Sequence, residues 1–404
     1  MKTVIRTVLI TCARRVCTTD RPGEFEAAVR ELAATGGWEA LLAAAAEQGM
    51  AMLLTQELHK ADLMHLAPAD VHARYLRVRR GGVARALIMS ATLIRTLDLL
   101  ASAGIRAMPW KGPILGQAVY GDVAARHFAD LDVLVYPADA PRAIETLKGA
   151  GWLRALEEDI GPMDSLMRTE CELPLVETGT GTVLEVHWGL DPPAMRSSLD
   201  VDTVWKSAFP LLLLGRSLPC AGPADTFVGL AVHAARHGWL NLEQACSLGA
   251  LVIAHPETDW AAVVERSRMF GCYRRCLLGA VVIHDLLAIP MPDDILRAAR
   301  SDRGVRRLAA RVCGRWKAGG ATALVLDPGL VDRIRQQAWK AATFDRRGQG
   351  AGYMLGFVFN ASMDDRTAFA LPRPLEHLYL GLRPARLLWK HGRRALRRPP
   401  PGDR

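Results

Sequence analysis

A chain of 404 residues, 50% hydrophobic and 23% charged, has room for roughly two or three domains and for a large core without disulfides or structural metals. This composition excludes collagen, gross disorder and mini-protein scaffolds. With a mean hydropathy of +0.08, no apolar run reaches the ~18 residues of a membrane helix.

The formal charge of +9 is uneven. Arg383, Arg386, Lys390, Arg393, Arg394, Arg397, Arg398 and Arg404 stand against one acid, Asp403, and the remaining chain is near neutral. The segment 383–404 is thus a basic arm, suited to nucleic acid, an acidic peptide or anionic lipid, or else a solvated terminal helix.

At the N-terminus, Lys2 and Arg6 beside Val4, Ile5 and Val8 loosely mimic a signal peptide. Arg14 and Arg15 follow at once and no small-residue cleavage site closes the segment, so it reads as a short cytosolic stretch. The eight cysteines form no CxxC pair and read as free thiols of a cytoplasmic protein.

Residues 24–103 are helical throughout, with a long apolar periodicity from about Asp70 that ends at Gly104. The texture changes at Ile105. Ile105 to Trp110 is a short edge strand because of Pro109. Pro113 then opens a helix to about Tyr120. Asp130 to Tyr136 is a strand closed by Pro137, and a helix follows from about Ala140 to Ala150. Leu173 to Glu177 and Thr182 to His187 form a hairpin about Thr178-Gly179-Thr180-Gly181. From about Val201 to residue 345 the chain reads as helical, interrupted at Pro290, Pro292 and Pro328. Residues 346–374 read as irregular, with a strand at Tyr353 to Phe359. The expected fold is α+β: a small mixed sheet between helical regions. The expected divisions are 1–103 helical, 104–200 the α/β core, 201–345 helical, and 346–404 an irregular segment with the basic tail.

Asp130-Leu131-Asp132 carries the chemistry. Strand side chains alternate, so the two carboxylates share a face while Leu131 and Val133 face the core. Two such carboxylates repel unless a cation lies between them, and Mg²⁺ takes hard oxygen ligands together with substrate phosphates. The pattern [DE]x[DE] is expected about four times by chance, and it recurs at Glu24/Glu26, Glu157/Asp159, Glu170/Glu172, Asp200/Asp202 and Glu257/Asp259. Only Asp130/Asp132 starts an apolar strand after a strand–Lys-Gly–helix unit. Glu185 is an acid inside an apolar strand and shares its face with His187. It completes a metal site or acts as a general base. Lys111-Gly112 lies where a strand turns into a helix, a natural phosphate seat, and Arg126 is a second phosphate clamp. His233 and His237 share one helix face, and Trp205, Trp239 and Trp260 read as core.

Strand–Gly–helix, DxD on a strand and a single acid on a later strand resemble the DNA polymerase β-like nucleotidyltransferase superfamily. More closely, KGPILGQAVYGD, RHFADLDVLV, AIETLKGAGW, LEVHWGL and HAARHGW resemble the bacterial uncharacterised nucleotidyltransferase family over about residues 85–290. The resemblance implies Mg²⁺-dependent transfer of a nucleotidyl group from a nucleoside triphosphate. Asp130, Asp132 and Glu185 would hold metal, and Lys111 and Gly112 would line the triphosphate. It makes a small metabolite or peptide natural product the expected acceptor. Three departures stand out: Gly112-Pro113 replaces Gly-Ser, Trp110 replaces a small aliphatic residue, and no acid lies mid-helix near Ser247, with Glu243 earlier. The last departure keeps a non-catalytic nucleotide- or peptide-binding protein as an alternative. A DxD glycosyltransferase is a further one, and transfer to an RNA end stays open.

Overall fold

The computed structural model describes residues 2–17, 23–154, 163–197, 200–318, 330–359 and 373–386, with 369, 371 and 389. Most of the basic arm lies outside these residues. The architecture is α+β. Five strands form one mixed sheet: β1 (Ala107–Pro109), β2 (Asp130–Val135), β3 (Trp152–Arg154), β4 (Glu172–Glu177) and β5 (Val183–His187). Their order is β1-β2-β5-β4-β3, with β2 and β5 parallel and every other pair antiparallel.

The strands alternate as a sheet with one buried face must. Leu131, Val133 and Val135 of β2, Leu184 and Val186 of β5, and Leu173 and Leu175 of β4 are buried in one core. The long helix Ala69–Ser102 and the helix Ala140–Gly149 complete it through Leu93, Leu97, Ile144 and Leu147. The opposite face presents Asp130, Asp132, Glu185, His187 and Glu172, from the same three strands. One alternation therefore builds both the core and the site.

A second, larger core lies among the helices. It joins the N-terminal helices Lys2–Cys17, Glu24–Thr35 and Trp38–Glu47 to the later helices Pro223–Arg236, Leu242–Ala254 and Tyr273–Leu287. The stretch expected only as a short N-terminal segment is thus a helix with Val8, Cys12 and Ala13 fully buried. Its end is fastened by the Arg14 Nε–H donating to Leu286 O at 3.1 Å and by the Cys17 thiol donating to Cys246 O at 3.4 Å. All eight cysteines are free and buried. Among the described residues, no helix is long and apolar enough to cross a membrane.

Two sequence expectations need correction. The helical reading of 201–345 misses a hairpin, β6 (Phe209–Leu213) with β7 (Arg216–Cys220). Its turn residues Leu214 and Gly215 both take positive φ, 49° and 79°, the backbone that closes a two-residue hairpin. The run Leu211 to Leu214 hides this, because leucine is a helix former and Leu214 gives no turn signal. Tyr353 to Phe359 is not a strand but part of the helix Arg347–Phe359. Gly350 lets this helix lie on the helix Leu330–Ala342: a Cβ there would come within 2.4 Å of Ala341 O. β3 is a further strand that the sequence reading did not anticipate.

Trp110, out of place beside the expected aliphatic residue, has a matching vacancy. Its ring lies against Gly229, where an added Cβ would sit 2.7 Å from the Trp110 Cζ2. The large residue at the strand end and the missing side chain on the helix are one packing solution. Gly229→Ala is therefore expected to lower stability by about 1–3 kcal/mol through overpacking, measured by urea unfolding. An unchanged midpoint would show that the ring moves freely.

Candidate active site

Four elements meet at the polar face of the sheet. β2 and β5 run parallel with Asp132 opposite Glu185, and β4 runs antiparallel with Glu172 opposite His187. Lys111 precedes the helix Gly112–Tyr120. Gly112 has φ +58°, and its Cα faces the Asp130 carbonyl, 3.5 Å from where a Cβ would lie. Glycine is thus required by the backbone, and the strand-to-helix turn brings Lys111 over β2.

Asp132 is the centre. Its Oδ1 accepts from the Lys111 ammonium at 2.7 Å and lies 2.9 Å from His187 Nε2. The same imidazole nitrogen is 3.4 Å from Glu185 Oε2, and the other ring nitrogen, Nδ1, is 3.2 Å from Glu172 Oε2. Glu172 in turn lies 3.6 Å from Arg236 Nη1, on the last turn of the helix Pro223–Arg236. A continuous chain of opposite charges therefore runs from β2 to the helical layer.

These contacts set the protonation states. Burial opposes ionisation of Asp132, but Lys111 and His187 outweigh it and hold the carboxyl far below its usual range. Burial likewise opposes the charged forms of Glu185, His187 and Lys111. The His187 contact lowers Glu185, the two carboxylates raise His187, and Asp132 raises Lys111. Asp130 is different. Burial first, then the charges of Asp132 and Glu185, push it up to about 6. The carboxylate group holds more negative charge than Lys111 alone balances.

That excess and the donor set fit a divalent cation. One ligand atom each of Asp132, Glu185 and His187 lies within 4.8 Å of the others. His187 reaches this group through Nε2 while its Nδ1 side faces Glu172, the arrangement by which a carboxylate orients a metal-binding imidazole. Asp130 stands one pleat away, outside the converging atoms.

Of the residues singled out from sequence, Asp132, Glu185, His187 and Lys111 come together, with Asp130 and Gly112 beside them. Arg126 is engaged elsewhere: its Nε–H donates to Glu243 Oε1 at 2.8 Å and an Nη1–H to Gly112 O at 3.4 Å. Glu243 also accepts from Ser247, whose hydroxyl is 3.1 Å from that of Tyr120. The early acid and the serine at the expected acid position thus form one polar group that locks Arg126. Glu172 and Arg236 were missed. The alternation Glu172-Leu173-Pro174-Leu175 carried the signal for Glu172, masked because Glu170/Glu172 is one of several chance repeats. Trp239 is buried and Trp260 packs edge-on against Phe227 at 5.1 Å, both in the helical core. Trp205 stacks parallel to Tyr136, with centroids 6.5 Å apart.

The family described as "Uncharacterised nucleotidyltransferase" matches residues 35–288, more than half of the chain. The chain belongs to the uncharacterised nucleotidyltransferase family. Neither the curated proteins nor the solved structures contain a match to it. Membership makes the protein a transferase of nucleotidyl groups, for which a nucleoside triphosphate is the substrate and a divalent metal is implied. The match spans the long helix, the sheet with all its polar residues, and the helix that carries Arg236.

Proposed function

We propose that this nucleotidyltransferase moves a nucleoside monophosphate from a nucleoside triphosphate to a hydroxyl or phosphate of a small metabolite or peptide. Asp130, Asp132 and Glu185 would form its carboxylate face, with Mg²⁺ as the cation. The observation that supports this reading best is the convergence of Asp132, Glu185 and His187 on one sheet face, beside a glycine-initiated helix.

A cation held by these side chains would supply charge to the transferring phosphoryl group and to the departing pyrophosphate. The residues of the chain do the rest. Lys111, whose ammonium is already fixed over Asp132, offers a point charge to the phosphates. The Gly112 backbone allows them to approach the helix start. Glu185, kept ionised by His187, takes the proton of the attacking hydroxyl. The acceptor oxygen bonds to the α-phosphorus as the bond to pyrophosphate breaks.

The same residues also favour a second reading, a nucleotide-binding protein without turnover. Lys111 already neutralises Asp132, and Glu243, the only acid near the expected helical position, is bound to Arg126.

Calorimetric titration with the four nucleoside triphosphates, with and without Mg²⁺, tests the site. Mg²⁺-dependent binding that weakens at least about tenfold in Glu185→Gln is expected, since a charged contact is lost. Pyrophosphate release with an acceptor panel then separates enzyme from binder. Equal binding without Mg²⁺ would refute metal dependence.

A further inference from the structure

The helical layer beside the carboxylates carries a cluster of nitrogen groups, one of them unpaired. His233 and His237, four residues apart at the end of the helix Pro223–Arg236, touch with ring centroids 4.5 Å apart. They are not part of any three-ligand metal group among the described residues. The Nδ1 atom of His233 is buried and has no hydrogen-bond partner. A buried polar atom left unpaired costs free energy, so such an atom points to a ligand.

Permanent positive charge surrounds these rings. Arg236 lies between them in sequence, and Lys111 approaches from the sheet side. Lys340 comes from the helix Leu330–Ala342, which is held here by the Trp339 indole N–H donating to Ala235 O at 2.9 Å. Lys340 has no ion-pair partner among the described residues. Burial, followed by the charges of Lys111, His237 and Arg236, holds His233 well below its usual range. Burial, then Arg236, Lys111 and Lys340, brings His237 down to about 4. Both imidazoles are therefore neutral at pH 7, through burial first and the neighbouring cations second, and an anion would offset those cations.

A helix C-terminus normally repels anions through its free carbonyls. Here several carbonyls at and just beyond the helix end have donors. Trp339 takes that of Ala235, and the Arg315 guanidinium takes those of Gly238 and Trp239, at 3.0 and 3.3 Å. These donors reduce the negative potential of the helix end, beside the cationic side chains.

We propose that His233, Arg236, His237 and Lys340 form the seat of the donor's β- and γ-phosphates, with Lys111 on the sheet side. This deepens the nucleotidyl-transfer reading and rests on it. The carboxylate face would then hold the reacting α-phosphate, and the helical layer the part that leaves as pyrophosphate. The inference assigns no role to Arg126, whose bonds are already made.

The test uses the full chain and the double variant His237→Ala/Lys340→Ala, which leaves His233 in place and spares the ion pair of Arg236. Inorganic tripolyphosphate and Mg²⁺–nucleoside triphosphate are titrated into both proteins. Ring resonances of His233 and His237 are followed by NMR in the wild type. Loss of two charge-assisted contacts should weaken both ligands at least about thirtyfold. The histidine resonances should shift on adding tripolyphosphate. Triphosphate affinity within twofold of wild type in the variant, with unmoved histidine signals, would overturn the phosphate seat and leave nucleotidyl transfer intact. Failure of the wild type to bind any nucleoside triphosphate would overturn both.

Discussion

Asp132→Asn is expected to reduce nucleotidyl transfer by on the order of a thousandfold or more. Three roles end together in that variant. The carboxylate that Lys111 and His187 both approach is lost, the donor group loses its central member, and the lysine ammonium stays buried without its partner. An unpaired buried charge also costs stability, so about 2–4 kcal/mol should disappear in urea unfolding. Two readouts separate the causes. Lys111→Met/Asp132→Asn should regain much of the stability and none of the turnover, because it removes the stranded charge and not the chemical defect. Retention of turnover within tenfold of wild type in Asp132→Asn would refute the site assignment. Asp130, outside the converging atoms, should give a smaller loss on conversion to Asn.

Arg275→Met is expected to cost about 3–5 kcal/mol of stability. Arg275 and Asp191 form an ion pair in which both side chains are almost fully buried, 1% and 0% exposed. The guanidinium also donates to Ser197 Oγ at 2.8 Å, Met195 O at 3.2 Å and Thr343 Oγ1 at 3.3 Å, and lies over the Phe344 ring. One side chain thus ties three pieces of chain. They are the loop that leaves β5, the helix Tyr273–Leu287, and the segment after the helix Leu330–Ala342. The variant strands Asp191, whose Oδ1 already lacks a partner. Adding Asp191→Leu should recover part of the loss, and this coupling identifies the pair as the cause. A fall below 1 kcal/mol in the single variant would mean that water reaches the arginine.

The alternation of β2, β4 and β5 made the sheet and its polar face legible from sequence. Asp130-Leu131-Asp132 and Leu184-Glu185-Val186-His187 each read as one apolar and one chemical face, and the structure places them side by side. What was not legible depends on distant partners. Nothing local marks Arg236 as the partner of Glu172, because the two meet only after the helical layer folds onto the sheet. Arg126 read as a phosphate clamp for the same reason: its partner Glu243 is over a hundred residues away. The hairpin β6–β7 was hidden by a leucine run whose propensity points to helix while its register with β7 decides otherwise. Trp110 looked anomalous until Gly229 supplied the space it needs.

The helix Lys2–Cys17 has a consequence for synthesis of the chain. Its apolar face is shared between near neighbours in the chain, the helices Glu24–Thr35 and Ala51–Lys60, and the distant helix Leu242–Ala254. At about 5–20 residues per second, roughly 10–50 s of synthesis separate it from that distant partner. In that interval the early helices cover one side, and the side that meets Leu242–Ala254 waits. The N-terminal helices and the helical layer therefore close on each other only after most of the chain has been made.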